Sequence, residues 1–258
     1  MKSKVDNNGI SESNSSTYTM PREQGIKPSC IVVTYSVVPS LEEAVISLQN
    51  RGASVHYIID TDGKQYKYHD DYDKASFAGK SHWKGQESVN GFGIGIMFIN
   101  DARDEQFKDF TQPQIDQAKT LLKDLSNKHP EIDMKHDLVG LGEVAERHIS
   151  PGPKFFWKEL AEKGFGIFRP STEQETKNIL IVKDQQDAQV TSVQSQLKKY
   201  GYNITESGIC DVSTQDWFWK FNTRYVPNQY PLDEWSEGSQ HSLNLLLVGV
   251  SEQPLDLT

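Results

Sequence analysis

Cysteine is nearly absent: Cys30 and Cys210 are the only two in 258 residues. They lie far apart in apolar surroundings and are expected as two buried thiols rather than a disulfide. Two thiols cannot build a zinc site without histidine or carboxylate help. No run of about 18 apolar residues occurs, so no membrane-spanning helix is expected. There is no dense Lys/Arg cluster and the net charge is −9. Binding phosphates needs a basic surface, so nucleic acid is not an expected partner. The seven histidines form no H-x-x-x-H or H-x-x-E-H pair. No aspartate stands between Asp137 and Asp184. The first residues, MKSKVDNNGISESNSSTYTM, lack an apolar h-region. No secretory signal is therefore expected, and the chain reads as cytoplasmic, with any envelope association coming through partners or another export route.

What is present is an alternation of strand and helix patterns. Residues 1–27 are polar and rich in Ser and Asn, and are expected as a flexible arm. CIVVTYSVV (30–38) is a β-branched run suited to a strand buried on both faces. Ser40 with Glu43 is a capping-box pattern ahead of a helix that stops at Gly52. Residues 54–60 and 64–70 read as a hairpin around TDG. GFGIGIMFIN (91–100) is a buried strand whose alternating glycines point to close backbone approach. The stripe Ile115, Ala118, Leu121, Leu122 and Leu125 places an amphipathic helix within 111–130. A short strand at 136–142 and a helix at 155–166 follow.

The expected fold is α/β, a central mixed β-sheet flanked by helices over residues 28–169. A polar linker, 170–185, leads to a small helical domain, 186–250, read as a three-helix bundle, with a tail at 251–258.

The segments SVHYIID, AGKSHWKG, TQPQI and SPGPKFFWKEL, in this order, resemble the zinc-dependent N-acetylmuramoyl-L-alanine amidases. The branch most resembled acts on anhydro-muropeptides and carries a C-terminal peptidoglycan-binding-like domain. LKKYGYNI and DVSTQDWFWKFNTRYVP are similar to that second module. The resemblance implies water attack on an amide bond. It calls for a zinc held by two histidines and an aspartate, a carboxylate base, and a cation for the oxyanion.

Carried over position by position, the chemistry is missing. The two zinc histidines fall on Thr34 and Leu141, and the aspartate before PGP falls on Ser150. The base glutamate of the GIEI strand falls on Gly95, and the oxyanion lysine on His148. Phe77 stands where the family has the histidine of WHAG. Hydroxyls are poor zinc ligands and leucine is none. Zinc, the family's cofactor, is therefore expected to be absent, and His56 is expected as a structural histidine.

These positions imply a catalytically inactive amidase-like protein, a structural or binding component of a multi-subunit bacterial cell-envelope assembly. Two other readings stand beside it: an amidase with a rebuilt site, and a non-hydrolytic peptidoglycan-binding protein. Trp83, Lys84, Trp217 and Trp219 are the candidates for a residual glycan or partner surface, although most aromatics of the second domain are expected in its core.

Overall fold

The computed structural model describes residues 4–5, 11–12, 20–101 and 107–248. The chain divides into two compact units, Met1–Phe168 and Arg169–Thr258.

The first unit is organised by one sheet. Its strands are β1 (Lys4–Val5), β2 (Ser11–Glu12), β4 (Cys30–Tyr35), β5 (Tyr57–Ile59), β6 (Gln65–Lys67), β10 (Gly93–Phe98) and β11 (Leu138–Gly140), and its spatial order is β1-β2-β6-β5-β10-β4-β11. Strands β5, β10, β4 and β11 run parallel; β6 turns back against β5. Two short ladders lie outside it: β3 (Met20–Pro21) with β7 (Asp73–Lys74), and β8 (His82–Trp83) with β9 (Gln86–Glu87).

Pleating sends alternate side chains to opposite faces. Ile31 and Val33 of β4, Ile94, Ile96 and Phe98 of β10, and Leu138 of β11 share the face covered by α2 (Gln112–Lys128). Ala118, Leu121, Leu122 and Leu125 of α2 close that core with Phe155, Phe156 and Trp157. Burying each aliphatic side chain there contributes about 1.5–3 kcal/mol. Ile58 and Met97 look the other way, toward Ala44 and Leu48 of α1 (Leu41–Asn50). Thr34, aligned with Met97, and Gly95, aligned with Val32, lie on this second face.

The caps follow the sequence pattern. Ser40 accepts the Glu43 amide, and Thr111 and Gln114 form a reciprocal capping box. Gly63 turns the β5–β6 hairpin at φ +85°, where a Cβ would also meet the Pro113 carbonyl oxygen at 2.8 Å.

Several boundaries differ from the sequence expectation. Strand β4 ends at Tyr35 because Val37 takes a left-handed φ of 63° and the Ser36 hydroxyl turns to bond the Val38 carbonyl. The helix expected over 155–166 is only α4 (Trp157–Ala161), following the four-residue α3 (Leu141–Val144), because Phe155 and Phe156 are drawn into the core. The arm expected flexible over 1–27 contains β1, β2 and β3, and Arg22 is buried within it. The remainder of 1–19 falls outside the described residues.

The second unit holds α6 (Ala188–Tyr200), α7 (Val212–Tyr225) and α8 (Glu237–Leu247), the three expected helices. The segment read as a polar linker, 170–185, is structured: α5 (Glu173–Lys177) starts in a Thr172–Glu175 capping box, and β12 (Ile179–Ile181) pairs with β13 (Trp235–Ser236). Its pairing partner lies more than 50 residues away, which no local pattern reveals. The expected tail, 251–258, lies outside the described residues.

Candidate functional site

At the C-terminal end of β4, Thr34 Oγ1 lies 2.8 Å from Ser150 Oγ. The Tyr35 backbone N–H donates to the same Ser150 oxygen at 2.9 Å. The Ser150 carbonyl in turn accepts the Gly142 N–H at 2.7 Å, which lays the 148–151 loop across the start of α3. Gly140 N–H donates to Glu143 at 2.6 Å, so that carboxylate is used as a local cap. Leu141 is 4 % exposed and adds only packing. Fold and loop thus bring Thr34, Leu141 and Ser150 to one strand end, as an uncharged pair of bonded hydroxyls beside an aliphatic group.

Gly95 sits mid-strand on the same sheet face as Thr34, covered by an aromatic ring. A Cβ at position 95 would meet Phe77 Cδ1 at 2.8 Å and Cγ at 2.9 Å; one at Gly93 would meet Phe77 Cζ at 3.2 Å. The Phe77 loop is held from Asn90, whose Oδ1 accepts the Phe77 and Ala78 amides at 3.1 and 2.8 Å. His56 fills the structural role expected of it. Nδ1 accepts the Gly95 N–H at 2.9 Å, and Nε2 donates to the Asp73 carbonyl at 3.0 Å. Burial pushes this imidazole down to about 4, so it is neutral at pH 7.

His148 is engaged by its chain neighbour: Arg147 Nε donates to His148 Nε2 at 3.0 Å. Two of the four residues expected on a glycan or partner surface are buried. Trp83 is 2 % exposed, its Nε1 donating to Asp137 at 3.1 Å, and Lys84 bonds the same carboxylate at 2.7 Å. Trp217 is also 2 % exposed, packed edge-on against Tyr202. Helical spacing puts Trp217, Phe218, Phe221 and Tyr225 on one inward stripe, while Trp219 falls on its half-buried flank.

These residues do not fit zinc. Each hydroxyl is already engaged in a neutral hydrogen bond, and Leu141 has no donor atom. Among the described residues, no group of three His, Cys, Asp or Glu side chains is placed to hold a metal ion.

Local sequence reading missed Arg22 and Asn90. Arg22 reaches carbonyl groups 49 to 71 positions away, and no spacing rule covers such distances.

A sequence-family model described as N-acetylmuramoyl-L-alanine amidase matches residues 24–153. A putative N-acetylmuramoyl-L-alanine amidase of Rickettsia conorii is 46% identical over 254 residues, covering 94% of each chain. The N-acetylmuramoyl-L-alanine amidase AmiD of Escherichia coli is 24% identical over 190 residues, 67% of each. Its solved structure, in complex with anhydro-N-acetylmuramic acid-L-Ala-D-γ-Glu-L-Lys, superposes with a TM-score of 0.71 at 21% identity, covering 95% of this chain and 96% of that one. AmpDh3 of Pseudomonas aeruginosa gives a TM-score of 0.72 at 22% identity, with 95% and 98% covered. At these identities the structures establish a shared fold.

Proposed function

This chain belongs to the N-acetylmuramoyl-L-alanine amidase family, and from that premise we propose that it binds muropeptide-class fragments of peptidoglycan without hydrolysing their amide bond. One observation carries the reading. At the strand end where the resemblance places two ligands of a zinc ion, Thr34 and Ser150 are hydrogen-bonded to each other at 2.8 Å. Activating water for amide attack needs a Lewis acid or a base near the scissile carbon. Thr34, Leu141, Ser150 and Gly95 offer neither.

Binding is supported by the retained frame. Two solved relatives with this fold hold an anhydro-muramyl peptide, AmiD in one complex and AmpDh3 in another. The test is calorimetric titration of the full chain with an anhydro-muramyl tripeptide, followed by chromatography of the same mixture. Heat of binding with intact ligand is the expected outcome. No heat at millimolar ligand would remove the reading.

Hydrolysis is the second reading, supported by the Rickettsia relative, which is named as an amidase. Release of stem peptide together with one bound zinc per chain would establish it over the first. A place in a larger cell-envelope assembly is a further proposal, supported by family kinship alone. Affinity capture from native cells should then recover reproducible envelope partners, and recovery of the chain alone would count against it.

A further inference from the structure

The N-terminal strap of the first unit ends in a buried cation. Strand β3 pairs antiparallel with β7, and the next residue, Arg22, is 8 % exposed. Its guanidinium is surrounded by backbone carbonyls. Nε and Nη2 donate to Asp71 O at 3.2 and 2.9 Å, Nη1 to Gly91 O at 2.6 Å, and Nη2 to Gly93 O at 3.0 Å. A planar guanidinium presents donors in several directions within one plane, which suits three carbonyl acceptors arriving from two chain segments. The Asp71 side chain is held separately by Tyr57, Lys128 and His129, so its carbonyl stays fixed while Arg22 binds it.

Two of these carbonyls lead directly to the candidate site. Gly91 closes the turn that carries Asn90, and Asn90 holds the amides of Phe77 and Ala78. Gly93 begins β10, and two residues on, the Gly95 N–H is taken by His56 Nδ1. Arg22 Nη2 also lies 3.4 Å from His56 Nε2. The family match starts at residue 24, so this cation lies just outside the matched span.

We propose that Arg22 is a positioning residue that couples the N-terminal strap to the site. Through its carbonyl cage it holds the Asn90 turn and the start of β10, and through them the Phe77 ring over Gly95. Without the guanidinium, two carbonyls at the start of β10 and that of Asp71 lose this donor. Buried carbonyls without partners are costly, so the turn and the Phe77 loop open locally. This assignment is independent of whether the site binds muropeptide.

Amide hydrogen exchange on the full chain tests it, comparing the wild type, Arg22→Ala and Arg22→Lys. In Arg22→Ala the amides of Phe77, Ala78 and Gly95 should exchange roughly ten- to hundred-fold faster, the range for losing hydrogen bonds to a charged group. Those of Leu121 and Leu122 in α2 should change much less. Methylguanidinium added to Arg22→Ala should restore protection at the three site amides by filling the cage. Arg22→Lys should protect them only partly, since one ammonium cannot reach all three carbonyls, and this variant decides the matter if Arg22→Ala does not fold. Equal acceleration at site and α2 amides, or none at either, would overturn the assignment and reduce Arg22 to a general stabiliser.

Discussion

The Phe77 ring occupies the space that any side chain on Gly95 would need, with Cδ1 2.8 Å from where a Cβ at 95 would stand. Real Cβ contacts are not that short. The two positions are therefore interlocked: the aromatic ring requires the glycine, and the glycine leaves a gap that the ring fills.

Placing a carboxylate at position 95 alone should fail. Gly95→Glu overpacks the strand and buries a charge against an aromatic ring, and should destabilise the first unit by about 3 kcal/mol or more. Adding Phe77→Ala should recover a substantial part of that loss. Urea unfolding of the two single variants and the double variant reads the coupling. Strict additivity would mean that the ring and position 95 are independent.

The hydroxyl pair at the strand end makes a second coupled prediction. Thr34→Val leaves a buried Ser150 hydroxyl with one partner fewer and should cost about 1–2 kcal/mol. Ser150→Ala strips the Tyr35 N–H of its acceptor and should cost a similar amount. The double variant should cost less than the sum, because one removed bond is shared. Additive losses in thermal or urea unfolding would contradict the observed bond.

Metal content tests the proposal that this chain works without zinc. After dialysis against a weak chelator, elemental analysis should find far less than one zinc per chain. The triple variant Thr34→His, Leu141→His, Ser150→Asp should take up roughly one zinc per chain, since three protein ligands with an open position suffice for a catalytic-type site. Stoichiometric zinc in the wild type would reverse the reading of the site.

Acid should weaken the first unit through His56. Its folded value, about 4, lies below the unfolded value of 6.5. The unfolded state therefore binds more protons between these limits, and stability falls as pH drops from about 6.5 to about 4, then levels for this group. The full difference corresponds to about 3 kcal/mol. His69 and His82 are also pushed down by burial and add in the same direction. The urea midpoint should fall across this window, and His56→Gln should flatten the fall. An unchanged slope in that variant would show that His56 is not the source.

Much of this protein can be read locally. The β-branched run at 30–38, the Thr111–Gln114 capping box and the apolar stripe of α2 are set by neighbours a few residues apart; the strand and the helix both formed, the strand ending early at Tyr35. The lack of histidine or carboxylate donors at Thr34, Leu141 and Ser150 is equally legible, because a residue's donor atoms do not depend on its fold. Local pattern failed where partners are remote. The segment 170–185 became helix and strand because Ile179 and Ile181 found β13, and Arg22 left an apparently polar arm to fill a cage built by residues 71, 91 and 93. Trp83 and Trp217 went inward because an aromatic ring gains more from burial than from a surface role. The sequence by itself determined the family and the donor atoms available at Thr34, Leu141 and Ser150, both being properties of residue identity and order. Only the tertiary structure decided that Phe77 seals the space over Gly95 and that Arg22 ties the N-terminal strap to it, because steric fit and carbonyl satisfaction exist only once distant segments share a place.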